Sequence, residues 1–529
     1  MKMKYQLMLT VMFGLMSPQL LADEEAEQEP IEIELGEHLF LETRFAQAYY
    51  QDNKKADPIL KQTITTTGEL ASPFASKTIN CRVCHMVDEH ANAPSAGMRS
   101  YADYAMRSLI PGRDDGATLT TRNSMSMVNI SISRPQGELF HYDGEFNSME
   151  DLVKATLTGR NFGWLVSEEN LAIKHIAKII REDDGKSLSA KELGGSYRQV
   201  FKNLPLAYRL EVANASDNDI LNAVAKLISA YVTDLAFSRD ENDQYSASPY
   251  DVFLKKNNIS AKPAKTESTE QYNKRLLKSV SEIKSPKFVN NKDGKFSTHK
   301  QDFIFAEKEL RGMKLFFSKS VAGKSGGNCA SCHAAPHFSD FGFHNTGLTQ
   351  QNYDQLHGPE SFDKLEIPTL AKRNKNYNAY LPATAKYPKA SSKFRSAMSK
   401  NKPGNLDLGL WNIFANTDMP APQTKLKNII CQQAKKQSST DCSETSLLPF
   451  TIAAFKTPVL RDLGHSNPYM HNGEFNSLNA AVSVYINSST LARTGLLRNT
   501  DLALKKMKLK ANDIDPLVAF LKSLNEDYD

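Results

Sequence analysis

Tryptophan occurs only twice in 529 residues and cysteine only six times. Six cysteines over that length exclude a small disulfide scaffold. No segment outside the first residues approaches the roughly 20 apolar residues that a membrane-spanning helix needs. A dominant charge is missing too: 65 Lys and Arg stand against 60 Asp and Glu, a net charge of +5. That is too weak to suggest a nucleic-acid partner. Hydrophobic residues make up 40% and charged residues 24%, which excludes a mainly disordered or collagen-like chain. At about 150 residues per domain, the length allows two to four domains.

The N terminus has the order of an export signal. Lys2 and Lys4 precede an apolar stretch from Leu7 to Met16, and Leu20-Leu21-Ala22 stand just before the acidic Asp23-Glu24-Glu25. The apolar part is too short for an anchor, so residues 1–22 read as a cleaved signal with the cut near Ala22. The remaining chain then works in an oxidising compartment without stable membrane insertion.

Helical periodicity dominates. In 216–236, Ser216 is placed to cap a helix, with Ile220, Val224, Leu227, Ile228, Tyr231 and Leu235 on one face. In 515–524, Asp515 suits a cap and Pro516 the first helical position, ahead of Leu517, Phe520, Leu521 and Leu524. Leu171, Ile173, Ile176, Ile179 and Ile180 mark a third helix. These stripes read as core. Residues 255–300 are rich in Lys, Ser and Asn and read as a polar, partly mobile interdomain insertion. Residues 349–450 read as a second long, irregular insertion. It holds Cys431 and Cys442, which in an exported protein are expected to form a disulfide, with two free thiols as the alternative.

One pattern occurs twice. Tyr142-Asp143-Gly144-Glu145-Phe146-Asn147-Ser148 and His471-Asn472-Gly473-Glu474-Phe475-Asn476-Ser477 share Gly-Glu-Phe-Asn-Ser. Each copy lies C-terminal to a Cys-x-x-Cys-His, namely Cys81-Arg82-Val83-Cys84-His85 and Cys329-Ala330-Ser331-Cys332-His333. Each of those follows a Leu/Gly/Phe stretch, Leu35-Gly36 to Phe40 and Leu310-Arg311-Gly312 to Phe316. Such self-similarity predicts a duplicated unit. The expected architecture is therefore mainly α, two related domains with long irregular insertions.

Cys-x-x-Cys-His is the attachment pattern of c-type haem. Two thiols one turn apart match the two vinyl groups, and the adjacent His supplies a neutral imidazole nitrogen to the iron. Zinc and redox-dithiol readings compete. Zinc wants four ligands, and neither reading explains a His in both copies. Two covalently bound haems are expected, on Cys81, Cys84 and His85 and on Cys329, Cys332 and His333.

At this point the chain resembles the bacterial di-haem cytochrome c peroxidases, whose superfamily includes the MauG-type enzymes. The resemblance runs from about Leu35 to Leu524. It rests on the Leu-Gly stretch, Arg122-Asn123-Ser124, Phe140-His141-Tyr142-Asp143-Gly144, Lys456-Thr457-Pro458-Val459-Leu460-Arg461 and Pro468-Tyr469-Met470-His471-Asn472-Gly473. It implies two cytochrome c-like domains, over 23–254 and 301–529, in a periplasmic enzyme. The first would hold the peroxide-binding haem and the second the electron-transfer haem. It also implies one calcium ion, with Asn123 and the carbonyls of Ser466 and Pro468 as ligands. A turn-forming Asn123 is the competing reading.

By the same resemblance Tyr485, twelve residues after Gly473, would be the distal ligand of the second haem. Peroxidase members often carry Met at that place and MauG-type members Tyr. A thioether favours ferrous iron and a phenolate ferric iron. A packed helix-face tyrosine is the alternative, with Met470 as substitute ligand and His471 lining the pocket. Tyr142 stands where the family usually has Trp between the haems, so it is a candidate relay or a packed aromatic. Trp164 is a candidate pocket wall or relay.

The Glu that the family places in the first distal pocket has no counterpart. Arg160 stands near that position and would polarise peroxide. Glu168 and Glu169 are displaced and suit a helix start. His90, Met98 and Met106 are weak candidates for a reversible ligand. The leading expectation is reduction of hydrogen peroxide to water with electrons from a small cytochrome c or cupredoxin. A MauG-like oxidation of a partner protein or organic substrate, with peroxide or dioxygen, is the alternative. A non-catalytic di-haem electron carrier ranks third.

Overall fold

A computed structural model describes residues 29–46, 80–81, 84–86, 99–100 and 122–527, apart from 135, 163, 298, 322–323 and 438–440. The proposed signal segment and His90, Met98 and Met106 lie outside the described residues. Among them no helix is long and apolar enough to cross a membrane.

The described chain is mainly helical, with two short antiparallel pairs, His85–Met86 with Arg99–Ser100 and Phe343–His344 with Phe455–Lys456. The helix Asp217–Asp234 starts where its sequence predicts. Ser216 Oγ accepts from the Asp219 amide at 3.1 Å, and Asp219 accepts from the Ser216 amide at 3.2 Å. Its buried stripe crosses the helix Ile31–Leu41 at Gly36, where a Cβ would stand 2.3 Å from the Leu227 carbonyl oxygen. The helix Glu307–Phe317 crosses Ala511–Lys522 in the same manner at Gly312, where a Cβ would meet the Pro516 carbonyl oxygen at 1.9 Å. The glycines of both Leu/Gly/Phe stretches thus let two backbones touch.

Two separate apolar cores grow around these crossings. One gathers Leu35, Phe40, Ile176, Ile180 and Leu227, the other Met313, Phe316, Leu517 and Phe520. Of the third predicted stripe, Leu171 departs: it is 58% exposed, while the helix Glu169–Glu182 buries Ala172, Ile176 and Ile180.

The two Gly-Glu-Phe-Asn-Ser copies have the same local form. Phe140 bridges Phe146 and Tyr469 bridges Phe475, each through an amide-to-carbonyl bond of 2.8 Å. The turns between them need left-handed backbone at Gly144 (φ +69°) and Gly473 (φ +65°). Ser148 and Ser477 then cap Met149–Leu157 and Leu478–Thr494.

Three expectations change. The last helix begins at Ala511, so Asp515 is not its cap and Pro516 lies inside it. A proline there leaves the Asn512 carbonyl without its helical donor. Arg311 Nη2 donates to that carbonyl at 3.3 Å instead. Residues 255–300 contain an ordered helix, Thr269–Glu282, which buries Tyr272, Leu276 and Val280 in the second core. Three apolar side chains spaced by four suffice for one buried stripe in an otherwise polar stretch. Residues 349–450 are not an irregular excursion. They build a third core from Phe394, Leu406, Trp411, Leu426 and Ile430, with Leu447 beside them. The Cys431–Cys442 disulfide packs against it and joins the interior of the helix Gln423–Lys436 to the segment that follows.

Candidate functional site

Each Cys-x-x-Cys-His lies on the wall of its own cavity. The first cavity takes in Cys81, Cys84 and His85 with Phe40, Met127, Leu157 and Phe162, around ≈ 1140 Å³ of empty space that includes its mouth. The second takes in Cys329, Cys332 and His333 with Phe316, Leu478 and Leu517, around ≈ 1440 Å³ on the same measure. Both walls are largely apolar, as a porphyrin face requires.

The two histidines are held alike. His85 Nδ1 faces the Met125 carbonyl at 3.0 Å, and His333 Nδ1 faces the Phe338 carbonyl at 3.1 Å. A carbonyl can only accept, so Nδ1 carries the proton and Nε2 keeps its lone pair for a metal. Burial pushes the His85 imidazole down to about 4 and that of His333 down as well. Both therefore remain neutral.

None of these four cysteines forms a disulfide. Burial, followed by the neighbouring thiol, pushes Cys81 and Cys329 up to about 12. A redox dithiol needs the opposite shift. These residues fit thioether attachment of a c-type haem better than the dithiol or zinc readings. Ser124 of the Arg-Asn-Ser motif ties back to the first site by donating to the Cys84 carbonyl at 2.8 Å.

Tyr142 lines both cavities. Its carbonyl accepts from the Lys456 amide at 2.8 Å, which joins the first turn to the strand beside the second cavity. Burial raises its phenol above the usual value, and Arg122 offsets only part of this. Tyr485, on the helix Leu478–Thr494, lines the second cavity together with Met470 and His471. Burial and then Cys329 raise the Tyr485 phenol. His471 stacks on Phe455 with centroids 3.6 Å apart, and burial pushes its imidazole down to about 4.

Asn123 clasps the two halves. Its amide donates to the His471 carbonyl at 2.7 Å, and its Nδ2 approaches the Pro468 and Met470 carbonyls at 2.5 and 3.3 Å. Its Oδ1 is buried without a hydrogen-bond partner among the described residues. An unfilled amide oxygen beside carbonyls is a donor set that suits a hard cation. Ser466 is two residues away, its hydroxyl donating to the Asp462 carbonyl at 2.9 Å.

The remaining candidates at the first cavity separate. Arg160 stands in the short turn Arg160–Phe162, of which Asn161 and Phe162 reach the cavity wall. Trp164 does not join that wall. It packs in the first core, 5.7 Å from the His175 ring. Glu168 accepts from the Leu165 amide at 2.8 Å and Glu169 is exposed, so both serve a helix start.

Sequence reasoning missed a charged cluster on the first cavity. His141 lines it and bonds through Nδ1 to Glu145 Oε2 at 3.1 Å. Arg395, from the 349–450 segment, also lines it and holds both Glu145 oxygens, at 3.1 and 2.5 Å. Arg122 pairs with Asp143 and Asp407. His141, Asp143 and Glu145 lie close enough to hold a metal ion. Two guanidiniums already occupy those carboxylates, which disfavours a cation there. At the second cavity His344 lies between Asp501 (2.6 Å) and Asp340 (2.9 Å). Burial opposes its charge, but Cys332 and both carboxylates hold its imidazolium well above the usual value.

No family model matches the chain. A stretch of 254 residues is 23% identical to a protein named cytochrome-c peroxidase IdrP1 from a Pseudomonas species, covering 48% of this chain and 47% of that one. A stretch of 94 residues is 36% identical to the methylamine utilization protein MauG of Paracoccus denitrificans, covering 15% of this chain and 24% of that one. Over part of its length the chain is thus similar to proteins of the di-haem cytochrome c peroxidase and MauG-like superfamily. The matches span about half of the first relative's length and about a quarter of the second's. Among solved structures the chain is similar to the diheme peroxidase BthA from Burkholderia thailandensis, at 15% identity and TM-score 0.46 over 94% of this chain and 86% of that one. It is also similar to a MauG-like protein associated with microbial copper homeostasis, at 15% identity and TM-score 0.42 over 94% and 89%. The two cavities, with their thiols and neutral imidazoles, fit the c-type haems that this similarity leads one to expect.

Proposed function

We propose that this chain is an exported, periplasmic di-haem oxidoreductase that reduces hydrogen peroxide to water with electrons from a small cytochrome c or cupredoxin. Residues 23–254 and 301–529 form its two cytochrome c-like domains, related by duplication. The observation that carries the reading is the matched pair of cavities, each with two thiols outside any disulfide and a neutral imidazole held through Nδ1, and with Tyr142 on both walls.

The bound haems supply iron centres that exchange single electrons and, at an open position, take peroxide. His85 and His333 present Nε2 to them. Tyr142 is the residue through which charge passes between the sites, and its proton must leave when it is oxidised. Asn123 Oδ1, with the Ser466 and Pro468 carbonyls, would hold a calcium ion between the two segments. Arg160 remains a candidate near the peroxide site.

A second reading has its own observation. Tyr485 lines the second cavity, where a phenolate ligand would favour the ferric state. It supports a MauG-like oxidation of a partner protein or organic substrate. Tyr485→Met separates the two: ordinary peroxide turnover survives, while sharing of oxidising equivalents between the sites is lost.

The test of the main reading starts with mass spectrometry of acid-extracted, denatured protein. Two covalently retained haems are expected, and one after Cys329→Ser with Cys332→Ser. The ferric protein should then change its absorption spectrum on adding peroxide. Bare thiols at both motifs, or no reaction with peroxide in the two-haem protein, would overturn the reading.

A further inference from the structure

Among the described residues, the wall of the first cavity holds no carboxylic acid of the kind the superfamily resemblance leads one to expect, yet peroxide cleavage needs a group that moves a proton between its two oxygens. We propose that His141 is that catalytic acid–base residue, with Glu145 and Arg395 as its positioning residues. This rests on the peroxidase reading above.

The geometry is that of an oriented imidazole. His141 lines the cavity that holds Cys81, Cys84 and His85. Its Nδ1 lies 3.1 Å from Glu145 Oε2. A carboxylate only accepts, so Nδ1 carries the proton and Nε2 is left as the base. Burial would raise the Glu145 carboxyl, but Arg395 and His141 hold it well below the usual value, so it stays ionised. The Arg395 guanidinium grips both of its oxygens and fixes the direction of the His141 ring. The Phe146 ring closes on the imidazole edge-on, with centroids 5.1 Å apart. His141 has left-handed backbone at φ 62°, uncommon for a residue with a side chain. The strained backbone sits at the turn that faces the cavity. Asp143 lies within 4.8 Å of the imidazole and is itself paired with Arg122 and Arg395, Arg122 also pairing with Asp407, while the neutral His85 lines the same cavity.

The step balances. His141 Nε2 would take a proton from one oxygen of a peroxide held in the cavity and return it to the other as the O–O bond breaks. The oxygen that receives the bond's electron pair and that proton would leave as water. The other would become the second water with two electrons from the redox-protein donor and two protons from solvent. The sum is one peroxide, two electrons and two protons giving two waters.

The test compares the purified two-haem parent with His141→Gln and Glu145→Gln, after mass spectrometry shows both haems in each. The second-order rate of ferric protein with peroxide is expected to fall by about 100-fold or more in His141→Gln. Cyanide association with the ferric protein, which involves no turnover but requires the same proton removal, should slow in parallel. Glu145→Gln should show a smaller loss and a displaced pH profile for both reactions. Parent-like rates in His141→Gln, or a parent-like pH profile in Glu145→Gln, would overturn the proposal. So would a parent whose first haem is low-spin and turns high-spin in His141→Gln, because His141 would then be an iron ligand. A two-haem parent inert to peroxide would instead sink the peroxidase reading itself.

Discussion

Arg122 and Asp407, 285 residues apart in the chain, share a buried ion pair in which Nε and Nη2 reach the two carboxylate oxygens at 2.5 and 2.8 Å. Burial works against the guanidinium charge, but Asp143 and Asp407 more than offset it. The pair fastens the 349–450 segment to the wall of the first cavity.

Asp407→Asn removes one of the two counter-charges of a guanidinium that stays buried. Unfolding free energy should fall by about 3 kcal/mol. Urea denaturation of the haem-loaded protein measures it. A change within the error of such a titration would show that Asp143 alone satisfies Arg122.

Tyr142→Phe keeps the ring and removes the hydroxyl whose proton must leave on oxidation. Under the proposed function, electron exchange between the two cavities should slow by about tenfold or more. Tyr142→Trp, which needs no such proton loss, should retain it. Stopped-flow spectra, with the second haem reduced beforehand and peroxide added, resolve the step. An undiminished rate in the Phe variant would assign Tyr142 to packing alone.

Glu526 sets a pH dependence of stability. Burial raises its carboxyl to about 7, and Arg461 and the Ser238 amide offset only part of this. An unfolded Glu titrates near about 4.3. Between those values the folded chain keeps a proton that the unfolded chain has released. Stability is therefore highest below the window and falls as pH rises through it, by about 3 kcal/mol in total. Unfolding titrations at pH 5 and pH 8 should show this fall in the parent and lose it in Glu526→Gln.

The Cys431–Cys442 bond closes a short loop, with a sequence separation of 11. Replacing both with Ser frees the unfolded chain and should cost about 3 kcal/mol of stability. The thermal midpoint under oxidising and reducing conditions checks this, since the parent under reductant should match the variant.

What the sequence reveals and what it hides follow from the range of the contacts. Cys-x-x-Cys-His, the Ser216 cap and the Gly-Glu-Phe-Asn-Ser turns are fixed by residues within a few positions of one another, so spacing alone carries them. The third core was not legible. Its fully buried Arg373 is satisfied by the Trp411 and Phe414 carbonyls, a contact without any periodic trace in the chain. The His141–Glu145 pair is four residues apart, a spacing usually read on helices. Here it forms in a turn made by left-handed backbone at His141 and Gly144, so helical logic passes over it. Trp164 lies in the first core while Phe162, two residues earlier, lines the cavity, and proximity in sequence does not separate the two.

Arg395 reaches Glu145 from 250 residues downstream. A nascent chain that ends before it would leave Asp143 with Arg122 and Glu145 with His141 alone, without the guanidinium that both carboxylates share in a closing interior. The first chamber therefore cannot reach electrical neutrality while synthesis is still in the N-terminal half. The order of assembly is written into the charge balance: the part of the molecule made early waits for the part made late.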